Sequence, residues 1–371
     1  MTPPRYGSTS RPATRRPAIL AGLSWSPLVA LVLGAAVALA ACGPGATGAA
    51  SSQSAGSAPA SPASGAGSSL AASSVPSGAG PSAGVAASSV PPTVVASLAA
   101  VRLPVATSRA VAFRWPGGLI VCGGLTDAGT TSTILLVRPG TGAVAAAGHL
   151  AEPVHDAGGA LLGGVPMVIG GGSVVAGTTV QRIGPVGRTV LAGHLPAPRA
   201  DLGAVVVGGR VVVVGGGTPS APDPRVLATA DGIHFTVVAR LPVPVRYPAV
   251  AAMGQEIVVV GGTGRTGTES AIQVIDPATG TARVVGRLPH GLSDAAALVL
   301  GGWLFVAGGR ASGRVQDAIW RVDPRTGAVA RAGTLPMPIA DAAAAVVDGV
   351  GYLVGGESDV RLASVVAIRL R

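Results

Sequence analysis

Residues 294–309 read DAAALVLGGWLFVAGG, and this short stretch decides the fold. Two apolar runs, 294–300 and 303–307, each have the length of a strand and are separated by a glycine pair. Glycine adopts positive φ without steric cost, so this pair predicts a tight hairpin turn. A second pair, Gly308 and Gly309, ends the second run. The stretch therefore predicts an antiparallel hairpin that stops at a diglycine.

The diglycine recurs along the chain at intervals of 45 to 47 residues. A leucine, usually followed by proline, keeps the same interval. Two independent markers with one period identify an internal repeat, and a period near 46 with strand patterning is typical of a β-propeller blade. The glycine pairs begin at Gly123, Gly170, Gly215, Gly261, Gly308 and Gly355, and the marker leucines are Leu103, Leu150, Leu195, Leu241, Leu288 and Leu335.

The remainder of one unit completes a blade. After the diglycine at Gly308, a polar loop leads to a third predicted strand at 318–322, a DPRTG turn and a fourth strand at 328–333. Four antiparallel strands make one blade, and the diglycine lets the chain approach its neighbours closely near the crowded centre. Residues 93–371 therefore predict an all-β domain, a six-bladed β-propeller with four-stranded antiparallel blades.

This pattern resembles the kelch repeat family over residues 93–371. The resemblance rests on the apolar run before the diglycine, as in VVVGG at 258–262, and on the DPATG turn at 276–280. Kelch blades usually place an aromatic just before the diglycine and a Trp at the start of the fourth strand. Here Tyr352 and Phe305 fill the first role in two units, and no unit has the Trp. We therefore expect Val, Ala and Gly to fill the core.

The ends of the repeat array predict how the ring closes. The last unit supplies three strands and stops after residues 364–370, whereas residues 94–102 resemble the fourth strand of a unit. We expect 94–102 to pair on the outside of the last blade. This closure removes an open seam with unpaired strand edges.

The N-terminal segment is a predicted targeting signal. Four Arg precede residue 17, no charge occurs in 17–41, and small residues lie directly before Cys42. Residues 1–41 thus predict a secretory signal, and the end of the segment resembles a bacterial lipobox in which Cys42 is lipidated. The alternative is one uncleaved anchor helix, since 25 uncharged residues can span a bilayer. Both interpretations predict an extracytoplasmic protein held at the bacterial cell membrane.

Residues 42–92 join this anchor to the propeller. Of the 50 residues in 43–92, 44 are Gly, Ala, Ser or Pro, with no charge and no aromatic side chain. Such a segment cannot bury enough apolar surface to offset the entropy of ordering it. We predict a disordered linker with a reach of roughly 40 Å.

The charge distribution excludes nucleic acid as the main partner. The net charge is +10, but the signal contributes four of the Arg, and the rest of the chain has no basic run. The predicted partners are the membrane, through the lipid anchor, and a cell-wall glycan or a surface protein.

One repeat position is the candidate ligand site. It lies six residues after each marker leucine, on the face of the ring that also carries the variable loops after the diglycines, with Arg310 and Glu357 among their charges. We expect its six residues to surround the mouth of the central channel and to bind a cation or sugar hydroxyls. A structural alternative is that each Asp accepts backbone N–H bonds and fixes a loop between blades. The six are Arg109, Asp156, Asp201, Tyr247, Asp294 and Asp341.

Other motifs of catalytic chemistry are missing from the sequence. His149 and His194 hold one repeat position on different blades, and no HxxxH or CxxC spacing occurs. His155 is expected near the channel mouth, and Cys122 is expected to be a small buried side chain in a strand. We predict no catalytic residue, no metal and no cofactor.

The sequence is compatible with two functions. The first is a ligand- or protein-binding module at the cell surface. The second is a carbohydrate-modifying enzyme with its site at the channel mouth, for which the resemblance implies an analogue in exported kelch-type sialic-acid mutarotases. The resemblance also includes galactose-oxidase-like copper enzymes. These need a Cys–Tyr crosslink and a second Tyr, whereas beyond Tyr6 in the signal the chain has only Tyr247 and Tyr352.

The lipidation of Cys42 is directly testable. A Cys42→Ala change, or treatment of the cells with globomycin, should leave an unprocessed precursor of higher mass, because signal cleavage requires the lipidated Cys. Mass spectrometry of the membrane fraction checks this. A mature protein of unchanged mass in the variant would contradict the lipoprotein assignment.

Overall fold

The computed structural model describes residues 91–371. The predicted signal 1–41, the lipidation site Cys42 and the linker up to residue 90 lie outside the described residues. Within 91–371 the chain forms six four-stranded antiparallel blades, and their innermost strands contact one another in succession around a ring. The same part of the chain contains no helix long and apolar enough to cross a bilayer. The prediction of an all-β, six-bladed propeller is confirmed.

The strands follow the repeat. Blade 1 comprises Val111–Trp115, Gly118–Cys122, Thr133–Arg138 and Ala143–His149, and blade 2 comprises Gly158–Leu162, Val165–Ile169, Thr179–Ile183 and Thr189–His194. Blade 3 comprises Ala200–Val207, Arg210–Thr218, Arg225–Thr229 and Thr236–Arg240, and blade 4 comprises Ala249–Met253, Glu256–Val260, Ala271–Asp276 and Thr281–Arg287. Blade 5 comprises Ala296–Leu300, Trp303–Ala307, Ala318–Val322 and Val329–Thr334, and blade 6 comprises Ala343–Val347, Val350–Val354, Ser364–Leu370 and Val94–Arg102.

Short elements decorate the loops. They are the strand pairs Leu125–Thr126 with Gly129–Thr130 and Arg310–Ala311 with Arg314–Val315, the strand Ala221–Pro222, and the 3-10 turn Pro185–Gly187. Each of the two strand pairs follows a diglycine. The most variable loops of the sequence thus carry the only extra hairpins within residues 91–371.

One predicted strand boundary is wrong in an informative way. The first strand of blade 5 was expected to start at Asp294, but it starts at Ala296. Asp294 has a φ of 58°, which is the left-handed region and incompatible with a regular strand. Asp294 and Ala295, the two residues lost from the strand, line a cavity at the mouth of the central channel.

The core lies between neighbouring blades, so each sheet is buried on both faces. Between blades 5 and 6, Phe305 and Leu298 pack with Leu353 and Val366. Aliphatic residues dominate the core, as expected from the near absence of aromatics. Contacts are close enough that a Cβ on Gly159 would lie 2.0 Å from the side chain of Val111. Glycine therefore acts as a packing residue on the inner strands.

The diglycines connect each blade to the next. The N–H of Gly262 donates to the carbonyl oxygen of Leu292, in the loop that enters blade 5, at 2.8 Å. The equivalent bond recurs at all six repeats with lengths between 2.7 and 2.9 Å. A Cβ on Gly261 would lie 2.1 Å from the same oxygen, and its φ is 63°. Both the space and the backbone conformation therefore require glycine.

The N-terminal strand closes the ring as predicted. Val94–Arg102 pairs antiparallel with Ser364–Leu370, from Val94 opposite Leu370 to Arg102 opposite Ser364. Val94 is buried against blade 5, and the Arg321 side chain of that blade donates to the carbonyl oxygen of Pro92 at 2.9 Å. The two ends of the domain therefore hold blade 6 together.

Deleting residues 93–102 should destabilise the whole domain, whereas deleting 43–85 should not. The first deletion removes the outer strand of blade 6 and its buried side chains, so we expect the melting temperature to fall by roughly 10 °C or more. The linker deletion leaves every strand pair in place and serves as the control. Equal melting temperatures for the two deletions would refute closure by the N-terminal strand.

Candidate functional site

The six predicted site residues come together at one end of the central channel. They line a cavity of about 140 Å³, and each is followed by a small or apolar residue that completes the wall. All six have φ between 52° and 61°, which is uncommon for residues other than glycine. The members are Arg109, Asp156, Asp201, Tyr247, Asp294 and Asp341, one from each blade. We call this set the mouth ring.

The backbones of the mouth ring form a closed circle of hydrogen bonds. Each N–H donates to the carbonyl oxygen of the ring residue of the preceding blade, and the N–H of Arg109 closes the circle by donating to Asp341. The six bonds measure 2.8 to 3.1 Å. The left-handed conformation turns each residue so that its N–H and its carbonyl both point along the circle. Asp tolerates this conformation better than most residues, which gives a structural reason for its recurrence.

The carboxylates of the mouth ring do not accept hydrogen bonds from loop backbone N–H groups within residues 91–371, in contrast to the structural alternative. Among residues 91–371 their hydrogen bonds run to side chains, whereas the loops between blades are fixed by the backbone circle. Asp156 accepts from Arg109 at 3.1 Å, and Asp201 accepts from Arg246. The Asp side chains therefore contribute to a network of charged groups at the mouth.

Arg109 lies at the electrostatic centre of the site. Besides its bond to Asp156, its guanidinium lies 3.8 Å from Asp341 and 3.5 Å from Glu357. It also lies 5.9 Å from the centre of the Tyr247 ring. A cation bound inside the ring would meet this guanidinium, so the cation interpretation of the whole ring is disfavoured by charge repulsion. Arg109 and Tyr247, which interrupt the pattern of Asp, are in contact across the mouth.

Two further repeat positions contribute side chains. The residue before each ring residue pairs with the residue after each diglycine, as Arg246 does with Thr263 and Ser293 with Arg310. These bridges bring Arg246, Arg310 and Glu357 to the rim of the mouth. Sequence analysis placed Arg310 and Glu357 in variable loops but missed Arg246. Comparing the repeats one position before the mouth ring would have revealed Arg246, because that column otherwise contains Ser, Ala and His.

Burial raises the pKa of most acids at the mouth. It raises the pKa of Asp156 to about 7, with a contribution from Asp201 and against the pull of Arg109. Burial also raises the pKa of Asp201, and burial together with Asp294 raises that of Asp341. Burial opposes ionisation of Glu357 as well, but Asp341 and the nearby guanidinium groups lower its pKa overall. The mouth therefore contains one acid, Asp156, whose pKa lies near neutral pH, two further acids whose pKa is raised, and Glu357, whose pKa is lowered.

The histidines do not form a metal site. His155 lies at the mouth as expected, with Nδ1 2.9 Å from Thr130 Oγ1 and Nε2 3.5 Å from Asp156. Burial and Arg109 lower its pKa, so it is neutral there. His149 and His194 lie at exposed ends of outer strands on different blades. Across residues 91–371, no group of three or more His, Cys, Asp and Glu side chains has the arrangement of a metal site.

Cys122 is buried, as predicted. Its Sγ lies 3.8 Å from the carbonyl oxygen of Val111, and burial raises the pKa of the thiol. A thiol in this state is a poor nucleophile. It therefore serves packing between blades 1 and 2.

A larger cavity lies at the other end of the blades, between the hairpin turns of blades 4 and 5. It has a volume of about 460 Å³ and is lined by Met253, Trp303 and Val322, with Glu256 and Arg325 exposed at its edge. No set of polar groups converges inside it comparable to the mouth ring. The chemistry of the described residues is concentrated at the mouth.

Comparisons with known proteins support the fold alone. No protein-family model and no curated protein matches the chain. By shape, 656 chains of solved structures match, so this architecture is shared too widely to indicate an activity. One of them, described as "Structure of YjhT", has a TM-score of 0.63 and 15% identity, and the match covers 73% of this chain and 99% of that one. The class of protein is thus a six-bladed β-propeller.

The raised pKa of Asp156 predicts a loss of stability with rising pH. An acid whose folded pKa is about 7 and whose ordinary value is 3.8 favours folding fully below pH 4, and this contribution is lost as the pH rises through 7. The melting temperature should therefore fall between pH 5 and pH 8 more steeply for wild type than for Asp156→Asn. We expect a difference on the order of 1 kcal/mol or more in the pH dependence of unfolding.

Asp348→Asn is the matched control. Asp348 also has a positive φ, of 49°, but lies exposed on a turn at the other end of the blades. Its replacement should leave the wild-type pH dependence intact. Parallel curves for wild type and Asp156→Asn, measured by thermal unfolding, would contradict the buried titration.

Proposed function

We propose that this protein is an exported, lipid-anchored propeller of the kelch type that binds a hydroxyl-rich glycan at the mouth ring. One observation carries the proposal: polar side chains from all six blades converge on one cavity at the channel mouth. The scaffold is symmetric, but the side chains are not, because Arg109 and Tyr247 replace Asp at two of the six positions. A structural device that recurs in every blade is usually symmetric, whereas a ligand site need not be.

The groups at the mouth suit sugar hydroxyls. A hydroxyl both donates and accepts a hydrogen bond, and the mouth offers carboxylates as acceptors beside guanidinium and phenol groups as donors. The cavity is smaller than the 300 to 1,000 Å³ of a typical small-molecule pocket, so it accommodates one edge of a sugar ring. The rest of a glycan would extend over the loops after the diglycines.

The N-terminal strand keeps the chain end away from the mouth. Val94–Arg102 runs from the far end of blade 6 to Leu103, which leads into the mouth loops. A flexible linker that begins at a lipidated Cys42 would therefore leave the mouth free to bind a cell-wall glycan or a surface protein.

A second candidate is a sugar-modifying enzyme at the same site, similar in kind to sialic-acid mutarotases. The observation that favours it is Asp156, whose pKa of about 7 suits a general acid or base at neutral pH. Arg109 at 3.1 Å would hold its carboxylate in place. Such an enzyme would turn over a sugar, which a binding module would not.

A glycan array and a peptidoglycan pull-down with the full-length protein test the proposal. Arg109→Gln and Asp201→Asn each remove one charge and fit the left-handed backbone as well as the native residue does. Gln adopts positive φ at the same energetic cost as Arg, and Asn tolerates this region. We expect each to weaken binding roughly tenfold or more, as losses of charge-assisted hydrogen bonds do.

Arg325→Gln, at the exposed edge of the far cavity, is the control and should bind like wild type. Binding that is unaffected by both mouth variants, or absent from every glycan, would overturn the proposal. Sugar turnover in the same samples that Asp156→Asn abolishes would establish the enzyme instead.

A further inference from the structure

Positive charge is concentrated on part of the far end of the blades, the end opposite the mouth that carries the hairpin turns. Exposed Arg side chains lie in or beside these turns on blades 6, 1 and 2, where Asp348 is the one acid within residues 91–371. None of them forms an ion pair with a described residue. We call the set the basic arc; not counting Arg371 at the end of the sequence, its members are Arg114, Arg138, Arg182, Arg188 and Arg369.

The same end of blades 3, 4 and 5 is balanced. Two of its Arg are paired, Arg283 with Glu256 at 3.6 Å and Arg325 with Asp323 at 3.8 Å. Acids and Arg are equal in number there, the acids being Asp231, Glu256, Asp276 and Asp323, and the Arg being Arg210, Arg283, Arg321 and Arg325. The excess of positive charge is therefore confined to half of the ring. Folding assembles it, since the domain has no basic run in its sequence.

One repeat position shows a reversal of charge between the two halves. It is the first residue of the turn between the third and fourth strands, which is Asp276 in blade 4, Asp323 in blade 5 and Arg138 in blade 1. Both Asp side chains accept hydrogen bonds from N–H groups of their own turns, at 2.9 to 3.3 Å. Arg has no acceptor, so blade 1 lacks this turn-stabilising interaction and carries an exposed positive charge instead. A surface that serves only the fold gains nothing from this exchange.

An exposed aromatic side chain lies within the basic arc. Trp115 directly follows Arg114, and 37% of its surface is exposed. It lines a cavity of about 380 Å³ shared with the hairpin turns of blades 2 and 6, and another of about 260 Å³ beside the turn that precedes Arg188. Val165, on the neighbouring hairpin turn, is also exposed. A Trp among cationic side chains is typical of surfaces that lie against a bilayer, since its ring is stable at the level of the headgroups.

We propose that the basic arc docks the propeller on a membrane surface that contains anionic phospholipids, with Trp115 at the level of the headgroups. This inference rests on the membrane attachment in the proposed function and not on the glycan at the mouth. Guanidinium groups bind phosphate through two parallel hydrogen bonds, and unpaired ones do so without breaking an existing ion pair. Because salt screens such attraction over about 8 to 10 Å, it favours the orientation in which this face lies against the membrane.

The place where the chain enters the domain is compatible with this docking. The N–H of Arg371 donates to the carbonyl oxygen of Thr93 at 3.0 Å, and Val94 begins the outer strand of blade 6 at the far end. A flexible linker does not orient the domain, but it keeps the domain within roughly 40 Å of the membrane, so weak docking suffices. The basic arc supplies the orientation, and the mouth ring then faces away from the bilayer.

Hydrogen exchange of the full-length protein on vesicles tests the inference. Both interpretations of the N-terminal segment attach the protein to vesicles of any composition, so phosphatidylcholine alone is compared with a mixture containing phosphatidylglycerol. We expect the anionic lipid to slow exchange in the turns 114–117 and 163–165 roughly threefold or more, as for a domain docked about two-thirds of the time. Exchange in the mouth loops should be unchanged.

A triple variant of the basic arc should remove this slowing. It combines Arg138→Gln, Arg188→Gln and Arg369→Gln, three exposed side chains without an ion pair among the described residues. One basic residue beside an anionic surface strengthens binding roughly fivefold, so the loss of three should leave the domain undocked.

The matched control is a triple variant on the balanced half. Arg210→Gln, Arg283→Gln and Arg325→Gln together change the net charge by the same amount, at the same end of the blades, and should keep the slowing. All the substituted residues are exposed, so both triple variants should fold, and thermal unfolding checks that they do.

Four results would overturn the inference. Equal exchange on both kinds of vesicle would exclude docking while the anchor and the glycan proposal stand. Slowing that persists in the triple variant of the basic arc would place the contact elsewhere. Equal slowing of the same turns by soluble polyphosphate on neutral vesicles would identify an anionic polymer as the partner. A protein that stays off both kinds of vesicle would contradict the membrane attachment itself.

Discussion

The circle of six backbone hydrogen bonds at the mouth is the constraint on which the rest of the domain depends. Each bond joins one blade to the next, and the circle closes when Arg109 donates to Asp341. Because an N–H and a carbonyl must both lie along the circle, one residue per blade has a left-handed backbone. This left-handed residue determines where the first strand of each blade can begin. The circle also fixes the distance between blades and directs six side chains to a common axis.

The diglycines form a second circle outside the first. Each bonds to the loop entering the next blade, and these contacts leave no space for a Cβ. With the blade ends fixed twice, the interior has to be filled by side chains short enough for closely spaced sheets. Val, Ala and Gly fill it here, and the scarce aromatics occupy single positions such as Phe305. The high apolar content of the chain thus reflects sheets that are buried on both faces.

The proposed function depends on the positions where the side chains of the circle differ. The backbone treats the six ring positions alike, so their side chains are free to differ. Arg109 crosses the mouth to three acids, and Arg246 neutralises a fourth. A symmetric scaffold has therefore produced a site in which the charged side chains are distributed unevenly.

The sequence by itself determined the blade number, the strand order, the closure by Val94–Arg102 and the identity of the mouth ring. It could do so because the chain repeats with one period of 45 to 47 residues, so residues at the same position of each repeat occupy the same place in each blade. It did not determine that Asp294 would leave its strand, that Arg246 would reach Asp201, or that Arg109 would lie beside three acids. Those features depend on side chains from different blades meeting at the axis, and on how far each is buried there. Both are set only when the ring closes.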